Sequence, residues 1–278
     1  MTSRSTATTA TRSAELRCEE LVVGYPRRAE PVLRGISIRV PTRQVTTVLG
    51  PNGSGKSTLL KSLAGQLAPS AGHVYLDGQE MVRERPGDIA RKLGVLFQEN
   101  SAPANLTVEA LVRYGRFPHL RFLEAQGERD RRAIERALRL TGTEPIRATE
   151  LERLSSGQRQ LVWIAMALAQ ETRILLLDEP TTFLDMRHQL QVMNVVRNLC
   201  DEHGITIVAV MHDVNLAARY SDHVMLLRDG AVIAEGEPSD VITTERMRRA
   251  FDIEGRVIDG SGSPLFVAES PVGDSPRT

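Results

Sequence analysis

Gly50-Pro51-Asn52-Gly53-Ser54-Gly55-Lys56-Ser57-Thr58 follows a β-branched run, Val45-Thr46-Thr47-Val48-Leu49, and precedes a stretch from Lys56 to about Gln66 that reads as a helix. This is G-x-x-x-x-G-K-[ST] between a strand and a helix, the context in which the pattern carries chemistry. Glycines let the backbone curl until successive N–H groups point at phosphate oxygens. The helix start adds partial positive charge. Lys56 would neutralise β- and γ-phosphates, and the Ser57 hydroxyl would coordinate Mg²⁺. Only three lysines occur, Lys56, Lys61 and Lys92, against 32 arginines. A chance glycine-rich turn has no reason to place one of them here, so a nucleotide site follows.

Downstream, Ile174 to Leu177 is apolar throughout, as expected of a strand covered on both faces of a parallel sheet. It ends in Asp178-Glu179, at the sheet edge where open α/β folds bind ligands. Asp178 would hold the Mg²⁺ shell, and Glu179, projecting differently, would polarise a water towards the γ-phosphate. Taken alone, the two carboxylates could equally cap the next helix.

The remaining pattern is α/β. Glu15 to Val23 and Val32 to Val40 read as strands, followed after the nucleotide loop by Gly72 to Leu76 with an Asp77-Gly78 turn, and by Leu93 to Phe97. Residues 99–172 lose strand character; Val108 to Tyr114, Arg129 to Leu140 and Gly157 to Gln170 are the expected helices. Met186 to Cys200 reads as a helix and Ile205 to Met211 as a buried strand. Val224 to Leu227 and Ala231 to Glu235 flank a hairpin turn at Asp229-Gly230. Residues 256–258 and 265–268 are placed to pair around Asp259-Gly-Ser-Gly-Ser-Pro264.

The chain has 278 residues, with 35 basic and 35 acidic side chains. That balance gives no basic face for nucleic acid. The longest apolar run, Leu161 to Ala169, is nine residues, far short of a membrane span. Two cysteines, Cys18 and Cys200, suggest neither a disulfide nor a zinc framework. Residues 1–13, with eight Ser or Thr and no acid, read as a disordered tail.

Leu154-Ser155-Ser156-Gly157-Gln158 resembles the signature loop of the ATP-binding-cassette (ABC) ATPases, which other P-loop enzymes lack. Tyr25 matches the adenine-stacking aromatic, Gln98 the glutamine at a strand end, Asp185 the aspartate of Thr182-Phe-Leu-Asp, and His212 the histidine after a buried strand. Each has a plain alternative: a strand-end aromatic, a turn residue, a satisfied histidine, or serines that merely cap a helix. Order and spacing favour the resemblance, which covers roughly residues 15–250.

The resemblance implies a P-loop NTPase core with a mostly parallel sheet, an N-terminal antiparallel β subdomain and an inserted helical subdomain. The nucleotide-binding domain would span 14–250, with the helical part at about 99–172 and a C-terminal extension at 251–278. It further implies two such domains head to tail, as a homodimer, with ATP and Mg²⁺ between them. Ser155 and the Gly157 N–H would touch the partner's γ-phosphate, Gln98 would join the metal shell, His212 would contact the γ-phosphate beside Glu179, and Asp185 would couple the two sites. Ser156 stands where the usual signature has glycine.

Gln158-Arg-Gln-Leu-Val-Trp163, Asp178-Glu-Pro-Thr-Thr-Phe-Leu-Asp185-Met-Arg-His188-Gln189, Gly115-Arg-Phe-Pro-His119 and Val257-Ile-Asp-Gly-Ser-Gly-Ser-Pro-Leu-Phe266 resemble ATPases of iron–siderophore, haem and cobalamin importers. The implied role is a peripheral subunit at the cytoplasmic face of the inner membrane. It would power ferric siderophore import with permease subunits on separate chains and, indirectly, a substrate-binding protein. Cobalamin or haem import, or a soluble ABC ATPase, remain the alternatives. Leu106, Val108, Leu111 and Phe117 either line a groove for a membrane subunit or pack internally.

Overall fold

The computed structural model describes residues 15–26, 30–98, 100–119, 127–260 and 262–273. The expected tail, 1–13, lies outside them, as do Glu99 and 120–123 of the expected helical region.

Strand β1 (Leu16–Val23) is followed by β2 (Leu33–Val40), β3 (Val45–Leu49), helix α1 (Lys56–Leu63), β4 (Ala71–Leu76), β5 (Gln79–Glu80), α2 (Pro86–Ala90) and β6 (Leu93–Leu96). The helical region carries α3 (Val108–Tyr114), α4 (Glu128–Leu140) and α5 (Ser156–Ala169). The chain then returns through β7 (Ile174–Asp178), α6 (Met186–Asp201), β8 (Thr206–Val210), α7 (Val214–Tyr220), β9 (His223–Arg228) and β10 (Ala231–Gly236). It closes with α8 (Pro238–Val241), α9 (Thr244–Phe251), β11 (Ile253–Asp259) and β12 (Pro264–Pro271).

Six strands form the main sheet in the order β10-β9-β3-β8-β7-β6, parallel except for β10 at one edge. Side chains alternate between its faces, and both faces are covered. Leu175, Leu177, Ile207 and Ala209 enter a core shared with α5 and α6, whereas Leu176, Val208 and Val210 face α1. That two-sided burial explains the unbroken apolar runs. The second sheet, β2-β1-β4-β5, is antiparallel and packs on α1 from the other side.

Helix α1 ends three residues before the expected Gln66, because Gly65 adopts a left-handed conformation (φ 73°). The C-terminal strands pair with Val257 opposite Phe266. Asn215 of α7 clamps them by donating to the Phe266 carbonyl (3.1 Å) and accepting its N–H (2.8 Å), which seats the Phe266 ring in the core. Helices α7 and α9 have no counterpart in the sequence reading. Both start at an aspartate or threonine cap, Asp213 or Thr243, and bury only a few side chains.

Val108 and Leu111 are core residues and Leu106 packs against that core, so the apolar side of α3 faces inward rather than lining a groove. Phe117 alone of the four is exposed, at 60%, and it stacks on Tyr114 at 5.0 Å between ring centroids. Its neighbour Arg116 is fully buried. Its guanidinium donates to Asp130 of α4 (2.8 Å), to the Ala169 carbonyl ending α5 (2.6 Å) and to Glu171 (3.0 Å). One cation therefore ties three helices together. No helix among the described residues is long and apolar enough to cross a membrane.

Replacing Arg116 should be costly, since it strands two carboxylates and a carbonyl that were built around it. Arg116→Ala is expected to destabilise the protein by about 3 kcal/mol, at the low end for breaking a buried pair because Glu171 regains water. Urea unfolding checks this, and a loss under about 1 kcal/mol would place the guanidinium among surface pairs instead.

Candidate functional site

The 50–58 turn sits where β3 ends, in the middle of the main sheet. Both ends of the turn require glycine. A Cβ on Gly50 would lie 2.2 Å from the Leu227 carbonyl oxygen, and one on Gly55 would lie 2.7 Å from Leu33 Cδ2. Gly55 also caps α1 in a left-handed conformation (φ 106°). The Lys56 ammonium is buried and donates to the carbonyls of Gly50 (2.9 Å) and Pro51 (3.0 Å), inside the turn.

A cleft of about 450 Å³ opens beside this turn. Asn52, Gly53, Gly55, Lys56, Ser57 and Thr58 line it together with Tyr25, Val32, Glu179 and His212. Gly50, Pro51 and Ser54 shape the turn from behind. The Tyr25 hydroxyl lies 3.3 Å from Thr58 Oγ1, which holds the ring at the cleft wall. Val32 is a wall residue that the sequence did not single out.

Asp178 is the last residue of β7 and is 3% exposed. Its Oδ1 accepts from Ser57 Oγ at 3.2 Å. Glu179 leaves the strand with φ 53°, a left-handed turn that sends its side chain into the cleft. Three groups orient that carboxylate. Oε2 accepts from Gln98 Nε2 (2.8 Å) and Thr182 Oγ1 (3.0 Å), and Oε1 meets His212 Nε2 (2.5 Å). Neither carboxylate caps the following helix, because Asp185 does so through the His188 N–H (2.8 Å). In the sequence Thr182 stands only as a neighbour of Asp185; nothing in a Thr-Thr pair says which one turns back to Glu179.

Leu154, Ser155, Ser156, Gly157, Gln158 and Asp185 do not line this cleft. Leu154 is a core residue. Ser155 caps α5, accepting from the Gln158 N–H (3.2 Å) while Gln158 Oε1 accepts the Ser155 N–H (3.1 Å). Ser156 is the exposed first residue of the helix. The capping alternative thus holds for Ser155, and it leaves Ser155 and Ser156 exposed while Gly157 is buried.

The donor set suits a magnesium nucleotide. The cleft volume is that of a small-molecule site, its glycines leave room for close backbone approach, and a buried cation waits in the turn. Ser57 and Asp178 offer adjacent hard oxygens, the type of ligand that Mg²⁺ combines with substrate phosphates. Burial raises the Asp178 carboxyl above its usual range, with the Ser57 hydrogen bond opposing. Burial likewise lowers Lys56, against the attraction of Glu179 and Asp178.

A raised folded-state pKa means that Asp178 favours folding only at acid pH and opposes it as pH rises through that value. Asp178→Asn should therefore raise the melting temperature at pH 7 by a few degrees. It should give no gain near pH 3, below the ordinary carboxyl pKa of about 3.9. Calorimetry at both pH values checks the sign; an equal gain at both would assign the effect to packing.

The ABC transporter profile matches residues 33–182. The ferric enterobactin transport ATP-binding protein FepC of Escherichia coli K12 is 40% identical over 256 residues, covering 91% of this chain and 94% of FepC. Among solved structures, a metal-chelate type ABC transporter in an inward-facing conformation superposes with a TM-score of 0.80 at 27% identity, over 92% of this chain and 98% of that one. The ATP-binding cassette MJ0796, a dimer in a post-hydrolysis state with ADP and Pi, gives a TM-score of 0.69 at 28% identity, over 80% and 98%. With the phosphate loop, the paired carboxylates and the signature turn on one such fold, the chain belongs to the ATP-binding subunits of the ABC transporter family.

Proposed function

We propose that this chain hydrolyses ATP to drive import of a ferric siderophore, as the peripheral subunit of a transporter whose membrane-spanning subunits are separate chains. The observation that carries the catalytic part is Glu179, held in the phosphate-binding cleft by His212, Gln98 and Thr182. The turn amides and Lys56 hold the β- and γ-phosphates, and Tyr25 stacks on the adenine. Ser57, Asp178 and Gln98 hold Mg²⁺, which supplies charge neutralisation at the phosphate oxygens. Glu179 accepts a proton from the attacking water, whose oxygen bonds to the γ-phosphorus as the bond to ADP breaks. His212 fixes the Glu179 carboxylate and reaches the γ-phosphate from the same side.

The signature residues lie outside the chain's own cleft, so their nucleotide is a partner's. Two copies face each other head to tail, with Ser155 and the Gly157 N–H on the γ-phosphate across the interface. Asp185 lies between the two sites. The dimeric state of MJ0796 supports that arrangement. The siderophore assignment rests on FepC and on the metal-chelate type transporter. The subunit would sit at the cytoplasmic face of the inner membrane, and the exposed Tyr114–Phe117 pair is the surface we assign to a membrane subunit. A substrate-binding protein would act on it only indirectly.

Glu179→Gln should retain ATP binding and lower turnover about 10²- to 10⁴-fold, the range for losing a general base. In cells that depend on the protein, radiolabelled ferric siderophore uptake should vanish with this variant. Equal uptake with both forms would remove the siderophore and direct the assay to cobalamin and haem. Phe117→Glu should abolish uptake while ATP hydrolysis by the isolated subunit stays within about twofold; normal uptake would reject the aromatic pair as the docking point.

A further inference from the structure

His188 touches two elements that are far apart in the sequence. It lies in the first turn of α6, where the Asp185 carboxylate caps the helix. Asp185 Oδ1 accepts the His188 backbone N–H at 2.8 Å and also lies 2.7 Å from Nδ1 of the ring. An ionised carboxylate only accepts, so Nδ1 carries the proton and donates. These bonds hold the Asp185 carboxyl below its usual range, the backbone N–H contributing most.

The ring also lies against Gly157, in the first turn of α5. A Cβ on Gly157 would fall 2.1 Å from His188 Cδ2, 2.4 Å from Cγ and 2.7 Å from Cβ. Glycine costs a helix about 1 kcal/mol relative to alanine, and Gly157 shows no positive φ that would demand it. What demands it is the imidazole, which fills the space a side chain would need. One ring therefore joins the signature turn to the Asp185 loop by packing on one and hydrogen bonding to the other.

We infer that His188 is a positioning residue that fixes the signature turn to the loop running back to Glu179. Asp185 is six residues from Glu179 in sequence, and Thr182 between them already bonds the Glu179 carboxylate. A partner's nucleotide engaging Ser155 and Gly157 would thus press on a rigid unit that ends at the chain's own Glu179. His188 touches no nucleotide in this arrangement; it acts through Asp185 and Gly157. The inference rests on the head-to-tail reading proposed above.

The test uses the full chain in the Glu179→Gln background, with ATP-dependent dimerisation followed by sedimentation, for His188→Ala, His188→Asn and His188→Phe. ATP affinity measured on dilute monomer should be unchanged in all three. His188→Ala should weaken the dimer at least about tenfold, the effect of losing a hydrogen bond to a charged group. His188→Asn, which keeps a donor where Nδ1 stood, should return to within about threefold of the parent, and His188→Phe should stay near the alanine value. An unchanged dimer in His188→Ala would overturn the positioning role. So would losses that simply follow melting temperature, with Asn no better than Ala. If the parent with His188 intact stays monomeric with ATP, the head-to-tail reading itself falls, an outcome distinct from the other two.

Discussion

The backbone at the end of β3 is the constraint on which the site depends. β3 runs between β9 and β8 and is buried on both faces, so the chain can leave it only beyond Leu49, at the sheet's edge. It must then reverse within a few residues to start α1 beneath the antiparallel sheet. Gly50 passes so close to the Leu227 carbonyl that no side chain fits. The far side of the turn is tied as well: the Gly230 N–H donates to the Ser54 carbonyl at 3.0 Å. The phosphate loop is therefore held by neighbouring strands as well as by the Lys56 bonds within it, and its position follows from sheet register.

The same register places the acids. β7 pairs with β8 so that Asp178 lies opposite Val210, and the Glu179 N–H donates to the Val210 carbonyl at 3.1 Å. Alternation then separates two adjacent carboxylates that share one chemical group. Asp178 points into the space beside Ser57, where burial penalises its charge until a cation arrives. Glu179, turned by its left-handed φ, faces the cleft with both oxygens already engaged by neutral or titratable donors. The proposed base and the proposed metal ligand thus come from consecutive residues because the strand ends between them.

How much of this was legible depended on how local its cause was. The 50–58 turn spells its own geometry, and the apolar runs of β3, β7 and β8 announce two-sided burial. Tyr25, Gln98, Glu179 and His212 are far apart in sequence, and only the family resemblance could join them before the fold did. Arg116 and His188 were quoted inside motifs yet assigned no role. Their partners, Glu171 and Gly157, lie 55 and 31 positions away, and no period or cap signals such closure. The α3 face shows the opposite failing. Its period correctly marks Val108 and Leu111 as apolar on one side, but a period cannot say whether a membrane subunit or the chain's own helices will cover that side.

A composite site imposes a demand that a single cleft does not. The residues proposed to bind the phosphates and those proposed to close over a partner's phosphates sit on different helices, so in that arrangement binding energy at one must reach the other without being lost in loose joints. The structure meets this with caps and clasps rather than with a large interface. Ser155 and Gln158 fix the start of α5; Arg116 pins its far end to α4. Asp185 fixes the start of α6, and His188 joins the two starts. All but one of these joints are hydrogen bonds or ion pairs, and the exception, His188 against Gly157, is close packing, so under the proposed arrangement a shift at the signature turn would displace helix ends. That economy explains why glycine, with its helical cost, is kept at 157 where the imidazole must pass.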